Sequence, residues 1–96
     1  MKWEDIEKEF KVIDDHCAAL ACAKDHDYGS AWVYFRVSTI LELILAKVLR
    51  SINLNDLGEE KAHVPDKIID ELTDIINYCK FGLMKLEGVE GANCKW

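Results

Sequence analysis

Ninety-six residues, half of them apolar, suit one modest core and leave no room for a second domain. Eighteen Asp and Glu against twelve Lys and Arg give a formal charge of −6, which argues against duplex nucleic acid or an anionic membrane held through net charge. The opening Met1-Lys2-Trp3-Glu4-Asp5 lacks the apolar run of a signal peptide, and no apolar stretch is long enough for a bilayer, so a cytosolic protein is expected.

Trp3, Ile6, Phe10, Ile13, Cys17 and Leu20 recur at spacings of three and four, which predicts an amphipathic helix over residues 3–24. Its other faces carry Glu4, Asp5, Glu7, Lys8, Glu9, Lys11, Asp14 and Asp15 and read as solvated. A second helix is predicted over 31–52. There Val33, Val37, Ile40, Leu41, Ile44, Leu45, Val48, Leu49 and Ile52 cover more than half of the helical wheel, the mark of a central, buried element. Trp32, Arg36, Thr39, Leu43, Lys47 and Arg50 form its remaining stripe.

Residues 53–64 lose the helical period and stop at Pro65, a residue suited to the first turn of a helix. A third helix follows over 65–86, with Ile68, Leu72, Ile75, Ile76, Cys79 and Leu83 as its core stripe. The tail from about 88 is expected to be irregular, with Trp96 packing on a neighbour. The whole reads as a single all-α domain, residues 1–96, built as a bundle of three main helices. A central helix apolar around most of its girth calls for a homodimer or larger homo-oligomer.

The cysteines Cys17, Cys22, Cys79 and Cys94 form no C-x-x-C pair; Cys17 and Cys79 lie on apolar stripes and read as small buried hydrophobes in a reducing compartment. His16 and Cys17 point about 100° apart on a helix, so they make no nucleophile and base pair. His26 and His63 fall in expected loops, and no Gly-rich phosphate loop is present.

Two constellations can carry chemistry. Glu71 and Asp74, three residues apart on one helix, are able to converge on a single cation, with Glu42 across the interface and Asp70 in reserve. The competing structural role is an ion pair with a basic side chain of the neighbouring helix. Arg36, Lys47 and Arg50, with Tyr28 and Trp32 nearby, could instead hold the phosphate and the base or sugar of a nucleotide. The alternative is that Arg36 and Arg50 pair with Asp70 or Asp74 and join two helices.

The segments Lys24-Asp25-His26-Asp27-Tyr28-Gly29-Ser30-Ala31-Trp32, Arg36-Val37-Ser38 leading to Lys47 and Arg50, and Asp74-Ile75-Ile76-Asn77-Tyr78 resemble the small family called nucleotide modification associated domain 1 of bacterial viruses and bacterial genomes. The resemblance implies a nucleotide-linked role and adds Asn77 and Tyr78 to the ligand-binding set. Residues 70–78 also look like the E-x-x-D motif of the MazG-like all-α nucleotide pyrophosphatases, which implies Glu71 and Asp74 as magnesium ligands. Those enzymes have an E-E-x-x-E group on the preceding helix, where this chain offers Ser38, Thr39 and Glu42.

The leading expectation is a phage-related protein that binds or sequesters a nucleotide. A magnesium-dependent nucleoside triphosphate pyrophosphatase using Glu42, Glu71 and Asp74 is the enzymatic alternative. A helical protein-interaction module is the third.

Overall fold

The computed structural model describes residues 1–94; Lys95 and Trp96, including the expected packing of Trp96, lie outside the described residues. The described residues are all-α, with three helices and no strand. They divide into two compact units, residues 1–30 and the described residues from 31 onward.

The first unit is the helix α1, Trp3–Tyr28. Glu4 and Asp5 in its first turn and His26 in its last oppose the partial charges of the helix ends. It runs four residues past its predicted end and stops at Gly29, whose φ of 72° is disfavoured for residues with a side chain and whose N–H reaches Asp25 O. Along the predicted seam Cys17 is buried and Ile6 and Leu20 are half-buried, while Trp3, Phe10 and Ile13 are exposed.

The second unit holds α2, Val37–Leu57, and α3, Ile68–Leu86. Ile40 lies against Gly82, Lys47 against Asp74 and Glu71, and Arg50 against Glu71. Positions rise along one helix as they fall along the other, so the two are antiparallel.

Three further boundaries, all in this unit, differ from the predicted ones. Residues 31–34 form a separate 3₁₀ turn, and α2 begins only at Val37. Trp32 stacks on Phe81 of α3 at 4.3 Å between ring centres, and Val33 O accepts from Lys85 Nζ and Cys94 N, which hold this segment apart from α2. At its other end α2 continues to Leu57, because no breaker intervenes before Gly58 at φ 91°. Then α3 starts at Ile68 instead of Pro65. Its first free N–H groups are met by carboxylates: Ile68 N donates to Glu59 Oε1 at 3.0 Å and Lys67 N to Asp70 Oδ2 at 3.1 Å. Glu59 and Asp70 are thus helix caps. The described part of the tail, through Cys94, turns at Gly88 and Gly91.

The largest departure is which face of the hairpin is buried. Glu71, Thr73, Asn77 and Lys85 are buried on α3, and only Ile40 is fully buried on α2. Leu72, Cys79 and Leu83, expected in the core of the third helix, are exposed, as are Leu41, Leu45, Leu49 and Ile52 of the central helix. Helical period reports that a helix is amphipathic, not which stripe its neighbour takes. Here the polar stripe faces inward because its charges find partners across the pair.

Ile40 and Gly82 make the close apolar contact of the hairpin, and a Cβ at Gly82 would meet Ile40 Cγ2 at 3.7 Å, an ordinary packing distance. Replacing Gly82 by Ala is therefore expected to stabilise by about 0.5–1 kcal/mol through helix propensity. Ile40→Ala is expected to cost about 2–4 kcal/mol. Urea unfolding checks both; a destabilised Gly82→Ala protein would show that the helices sit closer than described.

Candidate functional site

Lys47 sits in the middle of α2 and sends its Nζ between two carboxylates of α3, donating to Asp74 Oδ2 at 2.9 Å and Glu71 Oε2 at 3.2 Å. The i, i+3 spacing of Glu71 and Asp74 puts both on one flank of α3, where one ammonium can reach both. The Lys47 and Glu71 side chains are 13% and 4% exposed, so this is a buried pair; such charges persist only when matched. Burial works against the Lys47 charge, but the hydrogen bonds and fields of Asp74 and Glu71 together outweigh it and raise its pKa above the ordinary lysine value.

One turn on, Arg50 approaches the other oxygen of Glu71, with Nη1 at 3.6 Å from Oε1, outside hydrogen-bond distance. Its side chain is 59% exposed. Arg50 and Glu71 border a cleft of about 410 Å³ lined also by Leu49, Asn53, Leu54, Val64 and Asp66. That volume lies in the range of small-molecule sites, about 300–1,000 Å³. Its walls are mostly apolar, and its charged lining is one guanidinium, Arg50, with the carboxylates of Asp66 and Glu71.

At the opposite end of the hairpin lies a second cluster, absent from the sequence expectations. Lys85 is buried, and its Nζ donates to Val33 O at 2.9 Å and Ala92 O at 2.8 Å while lying 5.5 Å from the Trp32 ring centre. Burial pushes its pKa down, with the Cys94 thiol acting in the opposite direction. Asn93 Nδ2 donates back to Lys85 O. Lys85 thereby ties the 3₁₀ turn and the tail to α3. Its acceptors are backbone carbonyls, one 52 residues away and one 7, so no side-chain pattern could have announced it.

Within the second unit the predicted ligand residues do not gather in one place. Lys47 is committed to Glu71 and Asp74. Trp32 is stacked on Phe81, and Tyr78 meets the same ring edge-on. Asn77 is buried in the α3 face. Arg36 precedes α2 and is exposed, and Tyr28, also exposed, ends α1 in the other unit.

The metal set fares differently. Glu71 and Asp74 do converge, but on the Lys47 ammonium, and Glu42 is exposed. Among the described residues no group of three His, Cys, Asp or Glu could hold a metal ion. Arg50, not Arg36, makes the expected inter-helix pairing, and it does so with Glu71. All four cysteines are free thiols, with Cys17 buried and Cys79 exposed.

The second unit is thus an antiparallel helix pair with an ion-pair cluster buried between its members and a cleft beside it. The sequence profile of the family described as Nucleotide modification associated domain 1 matches residues 24–86, and the chain belongs to that family. No curated protein and no solved structure matches it. The family name links the chain to nucleotide modification, and no helix among the described residues is long and apolar enough to cross a membrane.

The raised pKa gives the ion-pair cluster a defined pH signature. A folded-state pKa above the unfolded value means that the contribution of Lys47 is fully present below about pH 10.5 and is lost as pH rises through the folded pKa. Lys47→Met is expected to destabilise by about 3 kcal/mol at neutral pH, with the gap to the wild type narrowing above pH 10.5. Lys85 titrates in both proteins, so the difference isolates Lys47. Denaturant unfolding across pH measures it, and a gap that does not change with pH would contradict the pairing.

Proposed function

We propose that the chain is a nucleotide-binding protein that takes a phosphate-bearing nucleotide into the cleft of Leu49, Arg50, Asn53, Leu54, Val64, Asp66 and Glu71. The observation that carries this is Arg50, over half exposed and held only loosely by Glu71 at 3.6 Å. Its fork matches two phosphate oxygens, while the apolar wall suits a base. Lys47 is then a positioning residue. It holds Glu71 so that the guanidinium need not neutralise that carboxylate alone. Family membership supports the ligand class.

Within a bacterial virus, sequestration of a nucleotide signal and supply of a modified nucleotide both suit such a protein. The free thiols and the absence of a membrane-crossing helix among the described residues accord with a cytosolic setting.

The magnesium pyrophosphatase alternative, with Glu42, Glu71 and Asp74 as ligands, fits the arrangement poorly. A lysine ammonium already stands where Glu71 and Asp74 meet, and Glu42 joins no cation-holding group among the described residues. Binding without hydrolysis is the better-supported activity.

Calorimetric titration against mono-, di- and cyclic nucleotides is expected to give heat with at least one of them. Arg50→Ala is expected to weaken that binding by about tenfold or more, the loss of a charge-assisted hydrogen bond, while keeping the helical circular dichroism. No heat with any nucleotide, or an unchanged affinity in Arg50→Ala, would overturn the assignment. Release of pyrophosphate that stops in chelator would favour the enzymatic alternative instead.

A further inference from the structure

The cleft beside the ion-pair cluster is lined by two polar side chains that the fold leaves unused. Asp66, just before α3, and Asn53, on α2, are both exposed, and neither makes a hydrogen bond or ion pair among the described residues. The neighbouring carboxylates are engaged: Glu59 and Asp70 cap α3, and Glu71 and Asp74 hold Lys47. Asp66 stands apart from them. Leu49 and Val64, each more than half exposed, give the same cleft apolar surface from α2 and from the segment before α3. A flat ring laid on them would take that surface out of water.

An ionised carboxylate only accepts hydrogen bonds, and it does so through two oxygens set side by side. Its best complement is a pair of adjacent N–H donors, the arrangement that makes arginine forks bind carboxylates so well. Among the common nucleobases only guanine carries two neighbouring donors on its pairing edge, the ring N1–H and the N2 amino group. Adenine and cytosine set an amino group beside a bare ring nitrogen, and uracil and thymine set a ring N–H between two carbonyl oxygens. Each would bring a lone pair against the carboxylate. Charge narrows the ligand further. Arg50 is the one cation lining the cleft among the described residues, and Asp66 and Glu71 line it too. One phosphate group is matched by that guanidinium, whereas each further phosphate adds negative charge beside carboxylates with no cation to meet it.

We propose that the cleft selects a guanine nucleotide bearing a single phosphate, with the Asp66 carboxylate accepting from N1–H and the N2 amino group while Arg50 holds the phosphate. The proposal rests on the nucleotide-binding reading above and adds to it the base, the phosphate count and the residue that chooses between bases. Asn53 supplies an amide donor for the carbonyl oxygen on the same edge of the base.

Calorimetric titration of the full chain with the monophosphates of guanosine, inosine, adenosine and xanthosine, and with guanosine triphosphate, tests this. Guanosine monophosphate is expected to bind about tenfold or more tighter than the inosine compound, which lacks only the N2 amino group, and tighter still than the adenosine one. The triphosphate is expected to bind no tighter than the monophosphate. Asp66→Asn is the sharper arm, because an amide presents one acceptor and one donor in place of two acceptors. It is expected to weaken guanosine monophosphate by about tenfold and to strengthen xanthosine monophosphate, whose 2-carbonyl accepts where the guanine amino group donates. A carboxylate acting only as a surface charge would move all monophosphates together. Binding that needs Arg50 but ranks the bases alike, or a guanosine-to-xanthosine preference unmoved by Asp66→Asn, would overturn this proposal and leave the nucleotide reading standing. A triphosphate bound about tenfold tighter than the monophosphate would overturn the single-phosphate assignment. No binding of any of these nucleotides would overturn both the proposal and the reading beneath it.

Discussion

One ammonium group between two carboxylates organises the larger unit of this protein. Lys47 reaches Asp74 and Glu71 together, and Glu71, almost wholly buried, could not keep its charge in that position without a cation. The contact fixes the register of α2 on α3, because a shift of one residue in either helix would separate the charges. Ile40 against Gly82 then falls into place toward one end, and Arg50 against Glu71 toward the other. Beyond Gly82, Lys85 repeats the principle with backbone carbonyls as acceptors and gathers the 3₁₀ turn and tail onto α3.

Putting polar groups at the helix interface has two consequences. Leucines and isoleucines that would ordinarily fill that interface are turned outward, which concentrates apolar surface on the far side of the hairpin. The cations are also divided by role. Lys47 is occupied within the protein, whereas Arg50 stays half in solvent at the edge of a cleft. The same carboxylate group, Glu71, thus meets both cations, Lys47 at 3.2 Å and Arg50 at 3.6 Å.

Much of this was legible in the chain, and the failures have physical causes. Three helices followed from apolar spacing, whereas Glu71 and Asp74 were read as cation ligands and Lys47 and Arg50 as phosphate ligands, and the contact of Lys47 with both carboxylates was not foreseen. The choice between an ion pair and a ligand cavity depended on a distance that composition does not encode. Helix starts were misplaced at Ala31 and Pro65 because tertiary contacts decided them: Trp32 on Phe81 in one case, the Glu59 and Asp70 carboxylates in the other. The buried face of α3 was misjudged because Leu72 and Leu83 look like core positions in any hydropathy pattern. Their exposure follows from the ion-pair cluster taking the inside. Lys85 gave no signal, since a lysine near a helix C-terminus is ordinarily a solvated partner of the helix dipole.

The central claim is that Lys47 and Glu71 hold the helix pair together by acting on one another. A double-mutant cycle of Lys47→Met and Glu71→Gln, read by denaturant unfolding at neutral pH, addresses it most directly. A coupling energy of about 1 kcal/mol or more is expected for groups in contact within one network. Single-mutant effects that simply add, within about 0.3 kcal/mol, would mean that the two charges stabilise the protein independently and that their contact is not what sets the fold.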